Sequence, residues 1–109
     1  MAQFDVHRNT GKQRETIPFV VVVQSSLYDG YRRRVVIPLV RRSSLDRSAS
    51  FVNSPLNPMF AVKGIKVVLH PLEIVSVATD QLGEKVATLA QEGDRITGAM
   101  DELFTRAWA

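Results

Sequence analysis

Few residues in this chain are able to do chemistry. His7 and His70 are the only histidines among 109 residues, and there is no cysteine. A metal site needs several His, Cys or carboxylate ligands at suitable spacing, and neither histidine has a His or Cys neighbour. Thiolate nucleophiles and disulfides are excluded, and a reducing cytoplasm is the expected home. His70 closes an apolar run and precedes Pro71, where a hydrogen-bonded structural imidazole is expected rather than a catalytic one. Glu73, Asp80 and Glu84 fall within a dozen residues, yet nothing makes them converge. The glycines form no GxxxxGKS or GxxxxGKT phosphate loop, and neither GxSxG nor HExxH occurs. This inventory points to binding rather than catalysis, with no cofactor and no metal.

Two features stand out against that background. Arg32-Arg33-Arg34 is the densest local charge. On a strand, Arg33 points away from its two neighbours, so the triplet is not a single tripod. A solvated, aggregation-resistant edge is the preferred reading. Contact with phosphate or with an acidic peptide is the functional alternative. The second feature is the tail, Phe104-Thr105-Arg106-Ala107-Trp108-Ala109, where the sole tryptophan lies next to the end. A terminal Trp is either folded back onto the sheet or an interface anchor.

The elements that must position these groups follow from composition and periodicity. Apolar residues make up 45% of the chain, enough for one modest core, which a dimer partner would supplement. A single domain over residues 1–109 is expected. No signal peptide is visible in Met1 to Thr10, and the longest apolar run, Phe19 to Val23, is too short to span a bilayer. Net charge is +3 but uneven: residues 1–50 hold nine Lys/Arg and four Asp/Glu, residues 51–109 five and seven. The basic half is either a solvated face or a docking surface for an acidic partner.

Gln3 to His7 alternates as a half-buried strand does. Ile17 to Gln24 is a β-branched run suited to a strand buried on both faces. Asp29-Gly30 marks a turn, and Arg33 to Val40 completes an antiparallel hairpin in which Pro38 suggests an edge or a bulge. Arg41 to Pro58 is expected to be mostly loop or a small side sheet. A second hairpin turns at Lys63-Gly64-Ile65, and Ile74 to Ala78 is a further strand. Val86-Ala87 can still be extended. Thr88 with Gln91 fits a capping box, predicting a helix from Leu89 to Phe104 that Gly93 and Gly98 weaken by up to about 1 kcal/mol each. Leu89, Ile96, Ala99, Met100, Leu103 and Ala107 form its apolar face.

The residues also carry a resemblance. Val22-Val23-Gln24-Ser25-Ser26-Leu27-Tyr28-Asp29 followed by Arg34-Val35-Val36-Ile37-Pro38-Leu39 resembles the VQS and VIPL segments of the CcdB toxins. Ser76-Val77, Leu82-Gly83-Glu84-Lys85-Val86-Ala87-Thr88-Leu89, Asp94-Arg95-Ile96 and Ala99-Met100-Asp101-Glu102-Leu103-Phe104-Thr105 continue it in order. Only Arg41 to Pro58 is loose.

The resemblance implies a mainly β fold: a small barrel-like antiparallel sheet, a lesser side sheet and one C-terminal helix, of the CcdB/MazF-like kind. It implies a homodimeric, cytoplasmic toxin of a type II toxin–antitoxin pair that binds the DNA gyrase A subunit and traps the gyrase–cleaved DNA complex. Contact with DNA would be only indirect, through gyrase or antitoxin, and no membrane is involved. A short antitoxin with a disordered C-terminal segment would neutralise it, with Arg32, Arg33 and Arg34 as its candidate contacts. The gyrase-binding positions correspond here to Leu27, Tyr28, Asp101, Phe104, Thr105, Arg106 and Ala107. Arg106 and Ala107 replace the family's Gly and large apolar residue, and Trp108-Ala109 extends the chain. On a continued helix Trp108 would share a face with Thr105 and serve as an aromatic anchor. Two alternatives remain open. One is a MazF-like endoribonuclease with the arginines on phosphate and His70 or Glu73 moving protons. The other is a CcdB-like protein that has lost gyrase poisoning.

Overall fold

The computed structural model describes residues 2–105. Among these residues seven strands form one curled antiparallel sheet, followed by a single α-helix. The strands are β1 (Asp5–Arg8), β2 (Phe19–Val22), β3 (Arg33–Arg41), β4 (Met59–Val62), β5 (Ile65–Leu69), β6 (Val75–Ala78) and β7 (Lys85–Thr88), and the helix α1 is Gly93–Phe104. Their order is β4-β5-β3-β2-β1-β7, and β6 joins at the remaining half of β3. The expected mainly β fold, a barrel-like antiparallel sheet with one C-terminal helix, is therefore what forms, and the described strands belong to one sheet rather than to a main and a side sheet.

β3 is the longest strand and organises the rest. One edge pairs with β2, from Phe19 opposite Leu39 to Val22 opposite Val36. Its other edge is divided: Arg33 to Val36 pair with β6, and Leu39 to Arg41 pair with β5. Pro38 lies at that division. It is neither at a sheet edge nor in a bulge, contrary to the expectation from its residue type. Val23 N–H donates to the Val35 carbonyl at 3.0 Å, so bonded pairs alternate and Pro38 falls at a non-bonded position opposite Val20. Its donor-less nitrogen faces the gap where β5 ends and β6 has not begun, and its carbonyl accepts from His70 N–H at 3.1 Å. The missing donor costs nothing there.

Alternation sorts the core. Phe19, Val21, Ile37, Leu39, Phe60, Val62, Val67 and Leu69 point inward and meet Ile96 and Ala99 of α1. Val22, Val36, Val40 and Val68 face the opposite side and are buried as well, so the central strands are covered on both faces as their β-branched runs predict. The β4–β5 hairpin turns on Lys63 and Gly64, with φ of 53° and 78°. Two left-handed residues give the turn whose twist matches the strands it joins. The outer edge of β4 is masked by side chains. Asn53 Oδ1 accepts from Met59 N–H at 3.2 Å, and Arg95 donates to the Met59 carbonyl at 2.9 Å while stacking 4.5 Å from the Phe60 ring centroid.

The helix begins later than Thr88 and Gln91 predict. Thr88 Oγ1 accepts from Ala90 N–H at 3.2 Å, but this opens a 3-10 turn, Ala90–Glu92, rather than α1. Glu92 caps α1 without a side-chain bond. Gly93 is thus the first helical residue and not a weak point inside it. A Cβ there would lie 2.7 Å from Phe4 Cε2. Phe4 itself has φ of 71°, held by bonds from its N–H to the Val22 carbonyl and from Leu89 N–H to its own carbonyl. Chain entry and helix start are locked together at this point.

Candidate functional site

The connection from β2 to β3 is a tight, internally bonded loop. Ser25 Oγ accepts from Leu27 N–H at 3.2 Å and caps the 3-10 turn Ser26–Tyr28. Gln24 bridges the loop's neck. Its Nε2 donates to the carbonyls of Tyr28 and Arg33, and its Oε1 accepts from Val35 N–H at 3.0 Å. Satisfying three backbone groups with one side chain fixes the loop's exit angle.

Beneath the loop lies Arg34, only 5% exposed. Its guanidinium donates to the carbonyls of Tyr31 at 2.6 Å, Asp29 at 2.7 Å and Arg33 at 2.9 Å, with the Asp29 carboxylate 3.7 Å away. A buried cation is tolerable when paired and hydrogen-bonded, and the planar fork suits several acceptors at once. The three arginines are therefore divided by function. Arg34 is internal, contrary to the solvated edge expected for the whole triplet. Arg33 lies on the surface and clasps β6 through Ser76 Oγ and the Ser76 carbonyl. Arg32 is exposed.

What the braced loop presents is apolar. Leu27 is 86% exposed, Tyr31 67% and Tyr28 53%. The two tyrosine rings meet edge to face, with centroids 6.1 Å apart. Tyr31 was not among the residues expected from sequence. The spacing of Tyr28 and Tyr31 hints at it, but only a turn brings residues three apart together, and the run gave no periodicity to show one.

At the other end of the chain, α1 stops at Phe104. Thr105 takes φ of −125°, and its N–H and Oγ1 both donate to the Asp101 carbonyl at 2.8 Å. Phe104 is 63% exposed, Asp101 half-buried and Thr105 exposed. Asp101, Phe104 and Thr105 thus form one cluster at the helix end. Leu27, Tyr28 and Tyr31 form another. Arg106, Ala107 and Trp108 lie outside the described residues.

The histidines take structural positions. His7 Nδ1 is 2.9 Å from the Gly83 carbonyl. His70 Nδ1 lies 3.8 Å from Glu73, and its ring meets Phe51 edge to face. Burial holds the His70 pKa below its usual value, with Glu73 opposing the shift. His70 sits beside Pro38, five residues of extended strand from Arg33, or roughly 16 Å. The ribonuclease constellation is not assembled. Among the described residues no cluster of three or more His, Cys, Asp or Glu side chains is placed to hold a metal ion.

A curled antiparallel sheet with one packed C-terminal helix defines the CcdB/MazF-like fold. The CcdB protein family model matches residues 3–105, and the chain belongs to that family. It is accordingly a toxin of a type II toxin–antitoxin system, of the kind that acts by poisoning gyrase without catalysis of its own. Gyrase A, an antitoxin and a second copy are the partners typical of the family. No individually curated protein matches the sequence. No helix among the described residues is long and apolar enough to cross a membrane.

Proposed function

We propose that the gyrase-binding surface of this toxin combines the braced loop, through Leu27 and Tyr28, with the end of α1, through Asp101, Phe104 and Thr105, and continues into Arg106, Ala107 and Trp108. The observation that carries this is the exposure of Leu27 and Tyr28 on a loop fixed by a buried guanidinium. Large apolar groups held rigidly in water lose little entropy on docking and make effective anchors. The toxin acts as a cytoplasmic homodimer, presenting two copies of this surface to a two-fold target. Exposed Leu72 and Val75 support an apolar contact between copies. Gyrase performs the DNA cleavage, and the toxin meets DNA only through it or through the antitoxin. The antitoxin's disordered segment folds onto the toxin near Arg32 and Arg33, with Arg34 shaping the loop from within.

Mixing purified toxin with gyrase, ATP and plasmid tests this reading. Stalled protein–DNA adducts are expected, and Leu27→Ala with Tyr28→Ala should reduce them at least tenfold. Normal religation under saturating toxin would overturn it and favour a protein that has lost gyrase poisoning. The altered residues 106–109 motivate that second reading. Removing Trp108-Ala109, and separately Arg106→Gly, shows which part of the tail contributes.

A further inference from the structure

Tyr31 lies beyond the turn that carries Leu27 and Tyr28, and it is 67% exposed. Its backbone is pinned at both polar groups. Tyr31 N–H donates to the Tyr28 carbonyl at 3.1 Å, and the Tyr31 carbonyl accepts from the buried Arg34 guanidinium at 2.6 Å. A ring carried on a backbone held in this way has few conformations to lose on docking. Among the described residues neither the Tyr31 nor the Tyr28 hydroxyl is hydrogen-bonded, so both rings keep their polar tips for an outside partner.

The two rings, with Gln24 and Arg33, enclose an open notch of about 300 Å³. Its polar members are already committed to the fold. The Gln24 amide is bonded to the backbone of Tyr28, Arg33 and Val35. The Arg33 guanidinium is drawn across to β6, with Nε 2.8 Å from Ser76 Oγ and Nη2 2.7 Å from the Ser76 carbonyl. Arg33 therefore offers the notch its aliphatic stem more than its charge. No carboxylate lines the notch.

We propose that Tyr31 is a further contact residue for the gyrase A subunit, and that the notch between Tyr31 and Tyr28 takes one apolar side chain of that subunit. The proposal rests on the reading that the loop docks on gyrase, and it carries that surface across the turn. The notch shares the Tyr28 ring as a wall, so it is continuous with the surface made by Leu27 and Tyr28. An apolar occupant fits because two rings and an alkyl stem line the space. A cationic side chain would meet Arg33 and find no acid, and the Gln24 amide has no free group to receive a polar one. Rigid tyrosines around a desolvated pocket are the groups on which binding energy concentrates.

The test uses the full chain and purified gyrase A subunit, with affinity read by titration calorimetry. Tyr31→Ala should weaken binding at least tenfold while thermal melting stays unchanged, and Tyr31→Phe, which keeps the ring wall, should recover most of that loss. In a second measurement the photocrosslinker benzoylphenylalanine takes the place of Tyr31. Irradiation should join the toxin to gyrase A, which a merely structural tyrosine would not do. Undiminished affinity in Tyr31→Ala, or absence of the adduct, would overturn the role of Tyr31 and leave Leu27 and Tyr28 standing. Crosslinking to a second toxin copy instead would also overturn it, by placing Tyr31 between copies. Failure of the unaltered toxin to bind gyrase A would overturn both the role of Tyr31 and the reading beneath it.

Discussion

Arg34 reaches back five residues to the Asp29 carbonyl at 2.7 Å, so the loop that displays Leu27 and Tyr28 is built around a buried guanidinium. Arg34→Lys keeps the charge and loses the fork, leaving carbonyls without donors. Stability should fall by about 1–3 kcal/mol, read from urea denaturation. Amide exchange should speed up selectively in residues 25–32. Unchanged exchange there would show that Gln24 and Ser25 hold the loop unaided.

The contact between Phe4 and Gly93 yields a second prediction. Gly93→Ala places a methyl group against the Phe4 ring, an overpacking cost of about 1–3 kcal/mol. Ala's better helix propensity offsets at most about 1 kcal/mol of that. A net loss in thermal stability is expected. Phe4→Leu in the same chain should return part of it, since neighbouring changes couple.

The pH dependence of stability should carry a His70 component. Its folded pKa is lowered by burial, so below about 6.5 the unfolded chain binds the proton more readily than the folded one. This contribution is present above that pH and declines as pH falls from there through the folded value. Urea midpoints between pH 7.5 and 5 should therefore decrease, and His70→Gln should flatten the trend. An identical slope in the variant would assign the effect elsewhere.

Lys63 offers a stabilising change. It holds φ of 53° in the hairpin turn, a conformation Asn adopts more readily than Lys. Lys63→Asn should raise stability by several tenths of a kcal/mol to about 1 kcal/mol, measured by thermal melting. Gly64→Ala should do the reverse, because φ of 78° strains any Cβ.

Much of this architecture was legible in the residues. The β-branched runs at Ile17 to Gln24 and Arg33 to Val40 announced paired strands, and Lys63-Gly64 announced a turn. The helix was legible in Ile96, Ala99 and Met100 but not in its start, because the capping pattern at Thr88 cannot show that Phe4 packs where the first turn begins. Of the candidate site, Leu27 and Tyr28 were readable by resemblance. Tyr31 became visible only once the loop closed and placed its ring against Tyr28.

By itself, the sequence determined the family, the order of strands before one helix, and the poverty of catalytic groups. The family follows from the ordered resemblance of its segments, and the other two depend on local periodicity and residue type, which survive without coordinates. Tertiary structure decided which arginines are internal and which are exposed, why Pro38 is tolerated in a central strand, and that Arg33 is drawn onto Ser76 of β6 and leaves its stem beside Tyr31. Each of those depends on which distant segment lies alongside. Arg32, Arg33 and Arg34 are consecutive and chemically identical, and only the fold of the loop above them buries the last under three carbonyls.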